Sequence, residues 1–510
     1  MRTPGTAVII GAGIGGLAMA NLLAKTGWRV SVYEKLGAAG GRMGEFTAKG
    51  FTFDTGPSWY LMPEVFAHYF SLMGEDVNNY VTLDRLNPAY KVFFDYHAPI
   101  TVTGDLIKDR RTFSALEPGA GDNLARYVQT AEHNYHASME HFLYNPFTRL
   151  HTLANKRVLA QLPVLSGQLL TPLHKHVARY VHSQPLQQIL EYPMVFLGAS
   201  PYNAPALYHL MSFLDFKQGV YYPRGGMYRV VEALQNIGQK HGVKYHFNAP
   251  VTKIIVQNGH TTGIEVDGQT VTADLVVSGA DLKFTETKLL SPAAQTYSES
   301  YWQKRVAGPS ALLMYLGVKG NLPQLNHHNL FFVKEWQQNF ADIFETKKWP
   351  KNASMYVCKP SATDPQVAPK NHENVFVLVP LPASLSEPEK IGTLADRYLQ
   401  QLEEMAGIPD LRVRIVYKSY RTPRDFAELF NSWNGTALGM AHLLKQSAFW
   451  RPGARSKKVK NLLYVGGGVQ PGIGVPMCLI SAEVAYKHLT DDHSAGPLAA
   501  LEPPKGDWHV

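Results

Sequence analysis

The chain has 510 residues, 45% apolar and 18% charged, with 49 Lys and Arg against 41 Asp and Glu for a formal charge of +8. At ~150 residues per domain this exceeds one ordinary domain, and the composition excludes an acidic disordered chain, a collagen-like chain and a disulfide scaffold. Its two cysteines, Cys358 and Cys478, cannot build a disulfide framework, and no Cys or His run has zinc spacing, so no metal is expected.

In chain order, Thr6 to Ile10 is a short β-branched run that predicts a buried parallel strand. Gly11, Gly13 and Gly16 follow as G-x-G-x-x-G, a helix pattern runs from Leu17 to Lys25, and a strand from Arg29 to Tyr33 ends at Glu34. Gly11 permits a tight turn, Gly13 lets a pyrophosphate approach the backbone, and Gly16 lets helix and strand pack closely. The helix N-terminus offers free N–H groups and a positive dipole end to phosphates. Glu34, about 20 residues on, suits both hydroxyls of a ribose and disfavours a 2′-phosphate, which argues against NADP. To this point the ligand is NAD or FAD. Arg2 and the apolar run from Ala7 to Ala24 also resemble a signal peptide, but the strand, glycine loop and helix explain the stretch in more detail.

Gly40, Gly41 and Arg42 come six residues after Glu34, followed by Phe51 to Asp54 and then Gly56, Pro57 and Ser58. With this loop the chain resembles the FAD-dependent amine oxidase and phytoene desaturase superfamily, of glutathione-reductase type. The resemblance implies FAD, with Arg42 along its diphosphate. It assigns to the cofactor Gly11, Gly13, Ile14, Gly15, Gly16, Glu34, Lys35, Gly40, Gly41, Arg42, Pro57 and Ser58.

Between Glu140 and Glu191 there is no acidic residue, while five cations (Arg149, Lys156, Arg157, Lys175, Arg179) and five histidines occur among apolar side chains. Segment 141–190 therefore reads as a basic amphipathic helical stretch lying on an anionic membrane surface. Two long uncharged stretches, Tyr192 to Leu214 and Asn461 to Ala482, hold Pro193, Pro201 and Pro205, and Pro471 and Pro476. Prolines at that density break a spanning helix, so none is expected.

Leu197 to Tyr202, Pro205 to Tyr208 and Gly219 to Gly226 resemble carotenoid desaturases, and Gly226 to Tyr228 leans towards branches acting on dehydrosqualene-like or carotenoid-intermediate chains. Asn248 to Val256 alternates as a strand, and Asn258-Gly259 and Asp267-Gly268 are hairpin turns framing Thr261 to Val266 and Gln269 to Thr272. Asp274 to Asp281 reads as a buried strand ending in small residues. The resemblance implies that Val251 contacts adenine through its backbone and that Ser278 to Ala280 approach the cofactor domain.

Ala311 to Val318 and Val375 to Leu381 are apolar strands suited to the floor of a pocket, to which Tyr192 to Phe216 adds Phe, Leu, Met and Tyr. Thr422 to Phe426, Gly435 to Gly439 and Gln446 to Pro452 continue the resemblance. Asn461 to Pro476 is a strand, a glycine loop and then P-G-x-G-x-P, before a helix pattern from Met477 to Leu489. Such a helix end favours the negative charge that a flavin gains on reduction. The resemblance places Gly467, Gly468, Ile473, Gly474 and Val475 there. Gly466 to Gln470 holds no acidic residue, which weighs against an amine oxidase.

The expected architecture is α/β: a noncontiguous Rossmann-like FAD-binding domain (1–90, 220–290 and 455–490) with an inserted α+β substrate domain (91–219 and 291–454). Residues 491–510 read as a flexible tail. The resemblance implies a desaturase that introduces double bonds into a long apolar isoprenoid by hydride transfer to flavin N5. Oxygen or a quinone would take the electrons. A flavin-dependent carotenoid isomerase is the alternative in the same fold, and a non-catalytic prenyl-binding protein resembling the GDP-dissociation inhibitors the alternative of another class. No Ser-His-Asp or Cys-His arrangement is visible, so the chemistry is read as flavin-centred. Arg149, near the expected tunnel mouth, is the one candidate for a direct role. No nucleic-acid partner is expected, and the place of work is read as the cytoplasm, peripherally on the inner membrane.

Overall fold

The computed structural model describes residues 5–148, 167–384 and 390–503. Five parallel strands form the first sheet, in the order Leu462–Tyr464, Leu275–Ser278, Thr6–Ile10, Arg29–Tyr33 and Lys244–His246. Their apolar runs suit a sheet covered on both faces, and Ile9, Val276 and Val277 are fully buried. The helix Ile14–Lys25 buries every residue from Ile14 to Ala24, packed against the helices Tyr228–Lys240 and Val475–Thr490. Strands from distant parts of the sequence thus make one sheet, and the loops at their ends converge.

Beside it lies an antiparallel meander, Val251–Gln257, His260–Val266 and Gln269–Thr272. Both hairpin dipeptides have positive φ, 50° and 77° at Asn258-Gly259 and 50° and 72° at Asp267-Gly268, which explains their Asn-Gly and Asp-Gly sequences.

A seven-stranded sheet runs Ile415–Arg421, Ser310–Lys319, His372–Leu381, Met355–Cys358, His328–Phe332, Tyr90–Phe94 and Ile100–Val102. Side chains alternate across it. Leu312, Met314, Leu316, Val377 and Val379 pack beneath the helix Ile391–Ala406, in a core with Leu394, Tyr398 and Leu402. Leu313, Leu330, Phe332, Tyr356 and Leu378 take the other face.

One expectation lies partly outside the described residues and another needs correction. Of segment 141–190, residues 141–148 and 167–190 are described, and after the helical residues 167–170 they carry two further short helices. Pro172 and Pro185 stand at the starts of these helices, Leu173–Val177 and Gln184–Glu191, and Leu173, His176, Val177, Leu186 and Ile189 are buried. Lys175 and Arg179 remain exposed, while Arg149, Lys156 and Arg157 lie outside the described residues. Among the described residues, no helix is long and apolar enough to cross a membrane.

The stretch after Asp491 is docked rather than flexible as far as residue 503. Leu498 is buried and its N–H donates to the Glu483 carboxylate, while the buried Lys487 ammonium donates to the carbonyls of Ser494 and Gly496. A buried cation must have its donors satisfied, and this stretch takes two of them while the Tyr144 carbonyl takes the third at 3.0 Å. Leu498→Ala should therefore destabilise the protein by about 2–3 kcal/mol in denaturant unfolding, whereas a free tail would leave stability unchanged.

Candidate active site

One cavity of about 1140 Å³ joins the parallel sheet to the seven-stranded sheet. Sites for a single small ligand usually hold ~300–1,000 Å³, so this one lies just above that range. Its two ends differ in chemistry.

At the parallel sheet the wall is backbone and charge. Gly11, Gly13, Ile14, Gly15, Glu34, Lys35, Gly40, Gly41, Arg42, Pro57, Ser58, Val251, Gly467, Ile473, Gly474 and Val475 all line it. Gly16 and Gly468 stand behind. A Cβ on Gly16 would sit 2.0 Å from the Gly11 carbonyl oxygen, so Gly16 serves helix–strand contact, and Gly468 faces Leu282 rather than the cavity. In front of Gly13 nothing lies within 4 Å of an added Cβ, so the backbone there is open to a ligand. Gly15 meets the last glycine segment, where its Cβ would come 2.8 Å from the Gly466 nitrogen.

Charged side chains complete this end. The Glu34 carboxylate accepts from the Ala12 N–H at 2.6 Å and the Leu36 N–H at 2.8 Å, which fixes it across the glycine loop. Arg42 donates through Nη2 to Ser432 Oγ at 2.8 Å and lies 5.6 Å over the Phe430 ring. Its buried Nε has no hydrogen-bond partner among the described residues. Burial pulls the Arg42 guanidinium below its usual range, and nearby Asp281 partly offsets this. Lys35 is held by the Glu428 carbonyl and by Asn431 Oδ1. The helix Val475–Thr490 starts at Gly474, φ +126°, with no side-chain cap. Gly472, φ +141°, leaves room for His442, whose Nε2 would lie 2.1 Å from an added Cβ. Burial pushes His442 down to about 3, so this ring is neutral.

This end suits an anionic dinucleotide. Two uncapped helix starts, the open face of Gly13 and the unsatisfied Arg42 N–H supply donors for a diphosphate. Each Glu34 oxygen keeps a lone pair for a ribose hydroxyl.

The other end is apolar. Tyr192, Phe196, Leu214, Leu313, Phe332 and Leu378 line it, with Trp59, Trp336 and Tyr356. The charged lining residues, Glu34, Lys35, Arg42, Asp281 and Lys288, belong to segments around the parallel sheet and the meander. Where acids approach the apolar wall they stand behind it: Asp215, pushed up to about 7 by burial, accepts from Tyr192 Oη at 2.7 Å. At the rim are Phe147, Leu169, Phe449 and Trp450; Phe449 and Trp450 are 52% and 47% exposed, and neighbouring Leu170 is 77% exposed. Arg149 lies outside the described residues.

Sequence reasoning located the glycine loops and the apolar strands of this cavity. It gave no role to Asp281, although Ser278 to Ala280 just before it were expected near the cofactor, and it missed His442, Phe430, Trp336 and Tyr356, single residues whose neighbours in the chain give no chemical signal. The Phe426 to Trp450 stretch is the nearest to a missed clue, since its motifs follow the family pattern without indicating that they form a wall.

The chain matches the flavin containing amine oxidoreductase family over residues 14–485. It is 41% identical to carotenoid 3,4-desaturase of Haloarcula japonica over 95% of this chain and 98% of that one. With the zeta-carotene-forming phytoene desaturase of Myxococcus xanthus the identity is 34%, over 96% and 95%. A crystal structure of an oxidoreductase from Methanosarcina mazei shares the fold at a TM-score of 0.59 and 17% identity, covering 94% of this chain and 98% of that one.

The glycines separate ligand from fold. Gly13→Ala should change apoprotein stability by less than about 1 kcal/mol and lose most bound dinucleotide, read by visible absorbance after purification. Gly16→Ala should lower apoprotein stability by about 1–3 kcal/mol, because its Cβ meets backbone. Equal stability losses in the two variants would contradict this division.

Proposed function

Because this chain belongs to the flavin containing amine oxidoreductase family and is an FAD-dependent oxidoreductase among its carotenoid and phytoene desaturases, we propose that it desaturates a long acyclic isoprenoid, a carotenoid intermediate in preference to phytoene. The observation that carries this reading is the division of one continuous cavity into a charged dinucleotide end and an apolar end. The preference for an intermediate follows the relative at 41% identity, a carotenoid 3,4-desaturase.

In this reading Arg42 and the Ile14–Lys25 helix start hold the cofactor diphosphate, Glu34 the ribose, and Val251 lies by the adenine. The loop from Gly466 to Val475 adjoins the flavin ring. Bound there, FAD would supply an acceptor for the two electrons and the two hydrogens, one leaving as hydride from an allylic carbon and one as a proton from its neighbour, that a new double bond releases. The protein's part is position and dryness. A polyene has no polar handle, so apolar burial at ~25 cal/mol per Å² must bind it. Trp59, Phe196 and Phe332 provide that surface and keep water out. Oxygen or a quinone then accepts the electrons.

Such a substrate resides in a bilayer. Phe449, Trp450 and Leu170 expose apolar surface near the rim, and Lys175 and Arg179, the cations of the basic segment among the described residues, are exposed. These features support peripheral attachment to the cytoplasmic face of an anionic membrane, with the mouth turned towards lipid.

Two experiments test the reading. Incubated anaerobically with carotenoid intermediates in liposomes and a quinone, the protein should yield products with more conjugated double bonds; isomers with an unchanged count would reject desaturation. Phe449→Ser with Trp450→Ser should lower binding to anionic vesicles at least tenfold in flotation assays while retaining the flavin. Undiminished vesicle binding would reject the proposed membrane face.

A further inference from the structure

Behind the apolar wall is a second cluster with chemistry of its own. His327 and His328 stand where the strand His328–Phe332 begins, and Cys358 ends the strand Met355–Cys358. Antiparallel register pairs His328 with Cys358. The three residues are 4%, 0% and 0% exposed, and a ring nitrogen of each histidine and the cysteine Sγ all lie within 4.8 Å of one another.

Both rings are held by Nδ1. His327 Nδ1 is 2.7 Å from Thr363 Oγ1, and His328 Nδ1 is 2.8 Å from the Tyr356 hydroxyl. The Nε2 atoms are buried and have no hydrogen-bond partner among the described residues. Proteins present histidine to metals in this way, one nitrogen fixed by a neighbour and the other free. Packing holds the ring planes too: His328 stacks on Trp59 with centroids 4.2 Å apart and a 6° interplanar angle, and His327 packs on Tyr222 at 4.5 Å. The Cys358 thiol is also in contact with the Tyr356 and Ser58 hydroxyls; burial pushes it up to about 12, so a bound ion has to displace its proton.

We propose that His327, His328 and Cys358 form a binding site for a thiophilic d10 cation, Cu(I) in preference to Zn(II). Charge decides the preference. One thiolate neutralises a monovalent ion and leaves no net charge in a buried setting. A divalent ion would leave a positive charge near Lys359, whose ammonium is already occupied by the Leu322 carbonyl at 2.7 Å and Glu373 at 3.7 Å. Asp54, the acid electrostatically closest to Cys358, already accepts from the Met227 and Tyr228 N–H groups. Coordination number agrees: structural zinc seeks four ligands, and three protein ligands converge here. Sequence spacing could not reveal this set, because the ligands come from two strands that meet only in the folded sheet.

The test uses the full flavin-loaded chain, titrated anaerobically with Cu(I) against bathocuproine disulfonate and separately with Zn(II) against a zinc chelator. Metal per chain is counted by mass spectrometry. One Cu(I) should be retained per chain, Cys358→Ser should weaken retention at least tenfold, and Cys478→Ser should leave it unchanged. If Cys358→Ser fails to fold, judged by flavin circular dichroism, His327→Gln takes its place. X-ray absorption of the unmodified copper-loaded protein should count one sulfur and two imidazoles. Failure to retain either ion, equal retention by Cys358→Ser, or a shell without sulfur would overturn the site. Zinc retained in place of copper and lost in Cys358→Ser would support the site and overturn the preference for the monovalent ion.

Discussion

The structure depends on one close approach. Gly15, at the start of the first helix, and Gly466, after the last strand, bring their backbones together, and a Cβ on Gly15 would lie 2.8 Å from the Gly466 nitrogen. Only glycine permits two backbones to pass so near. That contact closes the parallel sheet from opposite ends of the chain and sets two uncapped helix starts around one space. The long segments between these ends form the meander and the seven-stranded sheet, so the second half of the cavity is supplied by what the closure encloses.

The cavity's function follows from how polarity is distributed along it. Charged groups cluster where backbone donors already favour an anion. Beyond them the wall is aliphatic and aromatic, and the titratable groups Asp215, Glu191 and the histidine pair stand behind Tyr192, Trp336, Trp59 and Tyr356. A charge on that wall would cost desolvation and admit water, whereas hydrophobic contact gains with every part of an apolar chain that is covered. The apolar character continues to a rim where Phe449 and Trp450 are exposed.

Much of the cofactor end was legible in the sequence because its chemistry is local. Strand, glycine loop, helix and Glu34 occupy a few turns of chain, and each glycine answers one steric demand. The boundaries that moved did so for local reasons: the first helix starts at Ile14 rather than Leu17, absorbing Gly15 and Gly16, and the last starts at Val475 because Pro476 needs no N–H partner there. In the described part of the basic segment, charge pattern gave no sign of the prolines that start short helices packed on a core. The terminal stretch misled because its docking is specified by Lys487 and Glu483, residues in a helix some distance before it. The apolar wall, the Asp215 contact and the His327, His328 and Cys358 cluster rest on strand register across long separations, which no single window of sequence displays.

The central claim is that one cavity brings an apolar chain to a flavin that takes its electrons. It is tested most directly by anaerobic mixing of the oxidised holoenzyme with a carotenoid intermediate, without an added acceptor, while the flavin absorbance is followed. The account predicts bleaching of the oxidised flavin in proportion to the double bonds gained by the chain. A product formed with the flavin absorbance unchanged, or a fully oxidised flavin beside a bound and unaltered chain, would contradict it.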